Sequence, residues 1–251
     1  MTMQYEALIF DLDGTAIPNI PNGMPSSELI DVIQQSKNKI ALCAATGRPI
    51  TNAKPILDAL GLDKPCVISA GTQIIDPTTN EILWQANLEA KDVQTILEIC
   101  RSYHYEVLVR NELMGEGASA SERVIDGHVN VMYIMGCAPA DAELILEKVK
   151  SVNKVTAAGV ISWTHEGVDI HITHKEATKE HAVYELLKIL KVKKSKTIGV
   201  GDADNDVHLF AGVGHKVAMG NATSRLKSLS DEVAESVDEN GLVKIIQKYS
   251  Y

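Results

Sequence analysis

The sequence predicts an α/β fold with a parallel sheet, interrupted by a separate α+β unit. Short apolar runs alternate with stretches of helical periodicity, a pattern typical of parallel sheets with helices packed on them. The clearest runs are ALIF, IALCAA and TIGVG, at residues 7–10, 40–45 and 197–201. Each run is followed by polar residues and then by a candidate helix, so we expect all three to be strands of one sheet.

Two segments illustrate the predicted helices that flank this sheet. SSELIDVIQQS, at 26–36, repeats apolar residues at helical spacing and begins with Ser26 or Ser27 as a candidate N-cap. ATKEHAVYELLKIL, at 177–190, shows the same spacing. Both segments therefore predict helices with one apolar face.

The interval between Thr46 and Lys179 is too long for one connection of a parallel sheet. Its predicted elements mix helices and adjacent strands, which indicates an inserted α+β module. They are, in order, a helix at 89–103, a strand at 129–136, a helix at 141–152, and strands at 161–165 and 168–173. We predict an inserted domain at 83–173 and a core domain made of residues 1–82 and 174–251.

Composition restricts the classes of partner. The 251 residues carry a net charge of −9 without a dense basic stripe, which argues against nucleic acid or an anionic membrane as the main partner. The four cysteines form no C-x-x-C pair, and we expect them to be reduced core residues of an intracellular protein. No signal peptide or membrane-spanning segment is predicted, so we expect a cytoplasmic protein. The sequence does not indicate the oligomeric state.

Three of the predicted strands end beside polar residues that could form one site. Asp11, Thr46 and Asp202 follow the three apolar runs. Ligands of open parallel sheets bind outside the carboxyl ends of the strands, so these three residues are expected to lie close together.

Four acidic residues belong to this predicted site: Asp11, Asp13, Asp202 and Asp206. Four carboxylates in one cleft repel each other unless a cation offsets their charge. A ligand set made of oxygen atoms suits a hard ion, and Mg²⁺ is the expected cofactor.

The same residues resemble the motifs of the haloacid dehalogenase (HAD) superfamily of phosphotransferases, in particular its Cof-like, class IIB branch. The matching segments are DLDGT at 11–15, ATGR at 45–48, Lys179, GDADND at 201–206, VAMGNA at 217–222 and DENGLVKII at 238–246. This resemblance implies a Rossmann-like core with an α+β cap domain inserted between the second and third motifs. One departure is Ala70 in SAGTQII, where many relatives carry Asn.

The resemblance implies specific chemical roles for the first motif and the acidic cluster. Asp11 is expected to attack phosphorus and form an aspartyl-phosphate, and Asp13 to protonate the leaving oxygen and then activate water. Mg²⁺ is expected to be held by Asp11, the backbone carbonyl of Asp13 and Asp202, with Asp206 in direct or indirect contact.

Further residues are expected to bind the phosphoryl group. Thr46, Gly47 and Lys179 are assigned to its oxygens. Asn205 is assigned to the same group, or to orienting Lys179 or the loop that carries the nucleophile. The sequence leaves Arg48 open between an anion contact and a surface residue. The histidines at 165, 171 and 174 lack cysteine partners and predict no zinc site.

These observations predict a Mg²⁺-dependent phosphatase acting on a small phosphorylated metabolite, such as a sugar phosphate or a phosphoglycolate-like acid. A phosphomutase on the same scaffold is one alternative, and a non-catalytic binding module is another. Substrate contacts from the inserted domain are open; the candidates are Asp169, Arg110, Arg123 and His128.

Overall fold

The computed structural model describes residues 5–20, 22–110, 118–119, 129–162 and 165–250, with the backbone alone at 110, 118 and 119. The chain divides into two compact units. One combines Met1–Trp84 with Thr178–Tyr251, and the other is Gln85–Ala177. Arg123 and His128, two candidates for substrate contact, lie outside the described residues.

Strands and helices alternate through much of the chain. The strands are β1 (Ala7–Phe10), β2 (Ala41–Ala44), β3 (Cys66–Ile68), β4 (Gln73–Ile75), β5 (Ile82–Gln85), β6 (Val107–Arg110), β7 (Ala118–Ser119), β8 (Val131–Cys137), β9 (Val155–Ile161), β10 (Val168–His174), β11 (Thr197–Gly201), β12 (His215–Ala218) and β13 (Glu232–Val233). The helices are α1 (Ser27–Ser36), α2 (Ile50–Leu60), α3 (Ala90–Cys100), α4 (Pro139–Lys150), α5 (Lys179–Leu190), α6 (Val207–Gly212), α7 (Ser224–Leu229) and α8 (Gly241–Ser250).

The first unit contains a five-stranded sheet in which every strand pair is parallel. The strand order is β13-β12-β11-β1-β2. Ile9 in β1 is in register with Gly199 in β11 and with Cys43 in β2. The predicted parallel α/β core is confirmed, and the residues that follow β1, β2 and β11 emerge at one edge of the sheet.

Apolar side chains cover both faces of this sheet. Leu8 and Phe10 in β1 belong to a cluster that includes residues of α1, α2 and α8, whereas Ile9 belongs to a cluster that includes α5 and α6. The alternation follows from the period of two along a strand. Each fully buried Leu, Ile or Phe contributes about 1.5–3 kcal/mol of transfer free energy, which favours β1 as an interior strand, between β11 and β2.

The second unit is an antiparallel sheet with two helices. Its strand order is β7-β6-β8-β10-β9, and buried residues of α3 and α4 share one apolar cluster with the sheet. The predicted helices and the strands at 129–136 and 168–173 are present. The strand predicted at 161–165 is wrong, because β9 occupies Val155–Ile161. That strand reads VTAAGVI, and its Ala and Gly residues have weak strand propensity, which concealed it in the sequence.

All four cysteines are buried, and none of them forms a disulfide. Within the described part of the chain, no helix has the length and apolar character needed to cross a membrane.

Candidate active site

A tight turn follows β1 and presents the first acidic residues. The backbone carbonyl of Leu12 accepts hydrogen bonds from the N–H groups of Thr15, Ala16 and Ile17. Gly14 has φ of +77°, and a Cβ atom there would lie 2.2 Å from Oδ2 of Asp202. Both the backbone angle and the close carboxylate require glycine at this position.

A buried lysine joins two carboxylates at the centre of the site. Nζ of Lys179 lies 2.7 Å from Oδ1 of Asp11 and 2.8 Å from Oδ1 of Asp206. The three residues are at most 4% exposed. Lys179 is the first residue of α5, and Thr178 caps this helix by accepting from the N–H of His181 at 3.1 Å. The helix start therefore fixes the backbone from which the lysine reaches both acids.

Asp206 uses both of its carboxylate oxygens within the protein. Oδ1 accepts from Lys179, and Oδ2 accepts from the N–H groups of Asp202 and Ala203 at 3.0 and 3.1 Å. Asp206 thus orders the loop that carries Asp202 while it holds the lysine.

Asp202 is held by the turn that contains Asp11. Thr15 Oγ1 donates to Asp202 Oδ1 at 3.0 Å, and both residues are buried. Asn221 secures the same turn, because its Nδ2 donates to the carbonyl of Gly14 at 2.8 Å and its Oδ1 accepts from the N–H of Val237 at 2.9 Å. Sequence reasoning gave no role to Thr15 or Asn221. Their places in DLDGT and VAMGNA were the available signals.

Burial raises the pKa of two carboxyl groups in this cluster. Burial raises the pKa of Asp11 to about 7 although Lys179 opposes the shift, and Asp206 raises it further. Burial likewise raises the pKa of Asp202 to about 6, against the hydrogen bond from Thr15. For Lys179, burial lowers the pKa, but Asp11 and Asp206 outweigh it and hold the pKa above its usual value. Three acids share one lysine, so another cation is needed to keep all three ionised.

The carboxylates fit a hard divalent cation. Oxygen atoms of Asp11, Asp202 and Asp206 lie within 4.8 Å of one another. These oxygen ligands and their net negative charge match the preferences of Mg²⁺. Asp11 and Asp202 each make one of their two oxygens available, whereas both oxygens of Asp206 already accept hydrogen bonds. Asp11 and Asp202 are thus the side chains best suited to hold the ion.

A pocket of about 290 Å³ opens beside these acids. Its lining residues are Asp11, Asp13, Asn19, Gly47, Arg48, Asp202, Ala203 and Asn205. Thr46 is fully buried, and its Oγ1 accepts from the N–H of Arg48 at 3.1 Å. Asn205 is exposed, and Asp206 rather than Asn205 contacts Lys179. The structure thus brings most of the predicted residues to one pocket, with Thr46, Lys179 and Asp206 outside its lining.

Arg48 forms a two-pronged ion pair across this pocket. Its Nε and one terminal nitrogen donate to Oδ2 and Oδ1 of Asp13 at 2.8 and 2.5 Å. Both side chains are partly exposed, at 25% and 30%. The sequence allows Arg48 to be an anion contact or a surface residue, and neither alternative includes this contact with Asp13, the predicted acid–base residue.

The loop after β3 adopts an unusual backbone conformation beside the site. Ser69, Ala70 and Gly71 have positive φ angles of 53°, 56° and 99°. The N–H of Ala70 donates to the carbonyl of Thr46 at 3.1 Å, and a Cβ atom on Gly71 would lie 2.6 Å from the N atom of Lys179. This loop therefore packs between the segment that contains Thr46 and the start of α5.

The fold and the pocket agree with the comparison to known families. Residues 8–123 and 119–246 match the model of the haloacid dehalogenase-like hydrolases. This match covers most of the chain, and the chain belongs to that family of enzymes. The resemblance identified from the motifs is confirmed.

Curated relatives of this chain include phosphatases. A phosphoglycolate phosphatase of Saccharolobus solfataricus is 33% identical over 97 residues, which cover 36% of this chain and 42% of that protein. A phosphoglycolate phosphatase of Staphylothermus marinus is 24% identical over 241 residues, which cover 95% of each chain.

Solved structures show the same fold over nearly the whole chain. A haloacid dehalogenase-like hydrolase from Bacteroides thetaiotaomicron superposes with a TM-score of 0.76 at 20% identity, covering 98% of this chain and 99% of that one. A sugar phosphatase of HAD subclass IIB gives a TM-score of 0.70 at 20% identity, covering 97% and 98%. The inserted α+β unit is thus part of the shared fold.

Proposed function

We propose that this protein is a Mg²⁺-dependent phosphatase that hydrolyses a small phosphomonoester through an aspartyl-phosphate on Asp11. The observation that carries the proposal is the buried contact of Lys179 with Asp11 and Asp206, beside Asp202 and the pocket. A lysine buried among three acids has little value for stability alone, because burying charges is costly, but it suits the binding of a phosphoryl group.

In the first step, a carboxylate oxygen of Asp11 attacks phosphorus. The new bond from this oxygen to phosphorus forms as the bond from phosphorus to the leaving oxygen breaks. Asp13 gives its proton to the leaving oxygen, which departs as an alcohol, and Asp13 becomes a carboxylate. Both residues line the pocket, so one bound ester can reach both.

In the second step, water attacks the aspartyl-phosphate. Asp13 takes a proton from this water as its oxygen bonds to phosphorus, and the bond from Asp11 to phosphorus breaks. Inorganic phosphate leaves, and both residues return to their starting forms. The cycle needs no further reactant.

The remaining predicted residues neutralise and orient the phosphoryl group. Lys179 supplies positive charge beside Asp11. The hydroxyl of Thr46 and the backbone N–H of Gly47 are proposed to donate to the phosphoryl oxygens, whereas the N–H of Thr46 already donates to the carbonyl of Val67. Asn205 is proposed to contact the substrate from the pocket wall, where its side chain is exposed. Bound Mg²⁺, held by Asp11, the carbonyl of Asp13 and Asp202, supplies charge that lets an anionic ester approach the carboxylates.

The second unit is proposed to act as a cap that selects the leaving group. Each motif residue named above lies in the first unit, which leaves substrate choice to the insertion at 85–177. The names of the relatives support small phosphorylated acids and sugars as substrates. We propose a sugar phosphate or a phosphoglycolate-like acid, acted on in the cytoplasm.

A phosphate-release screen tests this function. The wild-type protein and Asp11→Asn are incubated with Mg²⁺ and a panel of phosphorylated sugars and acids, and free phosphate is measured. We expect release by the wild type alone, and isotope from ¹⁸O-labelled water should enter the released phosphate. Transfer of the phosphoryl group to a second sugar without release would indicate a phosphomutase instead.

A further inference from the structure

We infer that Arg48 is a positioning residue that holds Asp13 in the orientation from which it transfers a proton to the leaving oxygen. This inference rests on the proposed phosphatase function and adds a residue to which that proposal gives no role. The observation behind it is the two-pronged ion pair between the guanidinium group and both oxygens of Asp13.

The backbone of Arg48 is fixed on two sides. Its N–H donates to Oγ1 of Thr46 at 3.1 Å, and its carbonyl accepts from the N–H of Ser69 at 2.8 Å. The base of the side chain is therefore held by buried neighbours while the guanidinium group reaches into the pocket. A planar guanidinium with two parallel bonds fixes both the position and the plane of a carboxylate.

Among the described residues, the side chain of Asp13 forms its hydrogen bonds with Arg48. Its backbone is fixed by the turn at Gly14, but the turn leaves the side-chain torsions free. Each carboxylate oxygen keeps a second lone pair after accepting one bond from Arg48, so the pair is compatible with proton transfer. Arg48 thus sets the direction in which Asp13 presents its free lone pairs.

Leaving-group dependence separates this role from phosphate binding. An alkyl phosphate releases a strongly basic oxygen and needs a proton from Asp13, whereas p-nitrophenyl phosphate releases a stable anion and needs little assistance. A residue that acts through Asp13 should lower kcat/KM of the alkyl ester selectively. This quantity covers the steps up to departure of the leaving oxygen and excludes the later attack of water, in which Asp13 serves both esters alike. A residue that binds the phosphoryl group should affect both esters alike, because both carry the same group.

The test compares kcat/KM of Arg48→Gln and Arg48→Lys on p-nitrophenyl phosphate and on the best alkyl phosphate from the screen. General acid catalysis contributes about 10²–10⁴-fold, so we expect Arg48→Gln to lower kcat/KM for the alkyl ester by about 10–100-fold. The aryl ester should change by less than about 3-fold under the same principle. Lys keeps the charge but not the two-pronged geometry and should restore part of the alkyl activity.

A double variant tests whether Arg48 acts through Asp13. Asp13→Asn combined with Arg48→Gln should be no slower on the alkyl ester than Asp13→Asn alone. The matched control is Arg225→Gln, which removes an exposed arginine that lies 3.7 Å from Asp204 outside the pocket. This control should leave kcat/KM unchanged for both esters.

Each result supports or overturns the inference. Equal losses of kcat/KM on both esters would assign Arg48 to phosphate binding and overturn it. Unchanged kinetics, with or without a lower melting temperature, would reduce the ion pair to a structural contact. Failure of the wild type to release phosphate from any ester would instead reject the proposed function.

Discussion

Nζ of Lys179 lies 2.7 Å from Oδ1 of Asp11, although the two residues are 168 positions apart in the chain. The end of β1 and the start of α5 meet here because the first unit is built from two segments of the chain, one before and one after the insertion at 85–177. The chain therefore assembles its central charged contact from both parts of the core.

Replacing Lys179 by Met should remove activity and strongly destabilise the core. The change leaves Asp11 and Asp206 buried without the cation that contacts both, which costs about 3–5 kcal/mol in comparable buried pairs. Urea unfolding at pH 7 measures the loss. Lys188→Met is the control: this lysine lies in the same helix, is exposed and pairs with Glu185, so its change should stay below about 0.5 kcal/mol. Equal losses in the two variants would contradict a central role for the buried contact.

Replacing Asp11 by Asn should remove turnover but not the fold. An amide oxygen does not attack phosphorus, and loss of a nucleophile lowers kcat by about 10³-fold or more. Burial raises the pKa of Asp11, so removing its charge should leave the metal-free protein at least as stable as the wild type. Phosphate release and thermal melting measure the two effects. Asp31→Asn, an exposed change on α1, is the control for both. Residual turnover near the wild-type rate would exclude Asp11 as the nucleophile.

Magnesium should stabilise the protein through Asp202. A ligand that binds the native state alone adds about 2.7 kcal/mol when its concentration is 100 times its dissociation constant. We therefore expect the melting temperature to rise with MgCl₂, but not with KCl at the same ionic strength. Asp202→Asn should lose most of this rise, because Asn has nearly the same shape as Asp but lacks the negative charge that binds the ion. A rise of equal size in that variant would place the ion elsewhere.

Replacing Ala70 by Gly should stabilise the protein. Ala70 is exposed and has φ of 56°, a conformation that costs an L-residue with a Cβ atom about 1–2 kcal/mol. Gly removes that cost but adds freedom to the unfolded chain, so we expect a net gain of up to about 1 kcal/mol in chemical unfolding. Asn, which tolerates this conformation, should also stabilise. Ala140→Gly in α4 is the control and should have the opposite sign. A loss of stability in Ala70→Gly would show that the methyl group makes a contact of greater value than the strain.

The parallel core was predictable because its evidence is local. Apolar runs that end beside Asp11, Thr46 and Asp202 fix both the strands and the edge at which the site forms. The contact between Arg48 and Asp13 was not predictable in this way. It depends on the side-chain torsions of two residues on adjacent strand ends, and the residue types alone permit several partners for each.

Backbone conformation was a second feature that could not be predicted from the sequence. The departure at Ala70 was visible in the sequence, but its φ angle depends on packing against the carbonyl of Thr46 and the start of α5. Strand β9 was missed for a related reason. Its small residues are held in a strand by pairing with β10, and a tertiary contact of this kind leaves no periodic pattern in the sequence.

Glu232 should make the core less stable as the pH falls into the acidic range. Its Oε1 accepts from Lys248 at 2.8 Å, and its Oε2 accepts from the hydroxyl of Tyr249 at 2.6 Å. Partial burial raises the pKa of Glu232, but the hydrogen bonds from Lys248, Tyr249 and His215 outweigh it and lower the pKa below its ordinary value of 4.5. As the pH falls below that value, the unfolded chain binds the proton first, so the stabilising contribution is lost as the pH drops through the pKa of the folded state.

Replacing Glu232 by Gln should therefore lower the free energy of unfolding at pH 7 by about 1.5–3 kcal/mol, the range for hydrogen bonds to a charged group. The difference from the wild type should shrink steadily from about pH 5 downward, since protonation of the wild-type carboxyl removes the same charge. Urea unfolding at a series of pH values measures both curves, with Asp31→Asn as the exposed control. A difference that stays constant down to the lowest pH at which both proteins fold would show that Glu232 stabilises α8 by its shape and not by its charge.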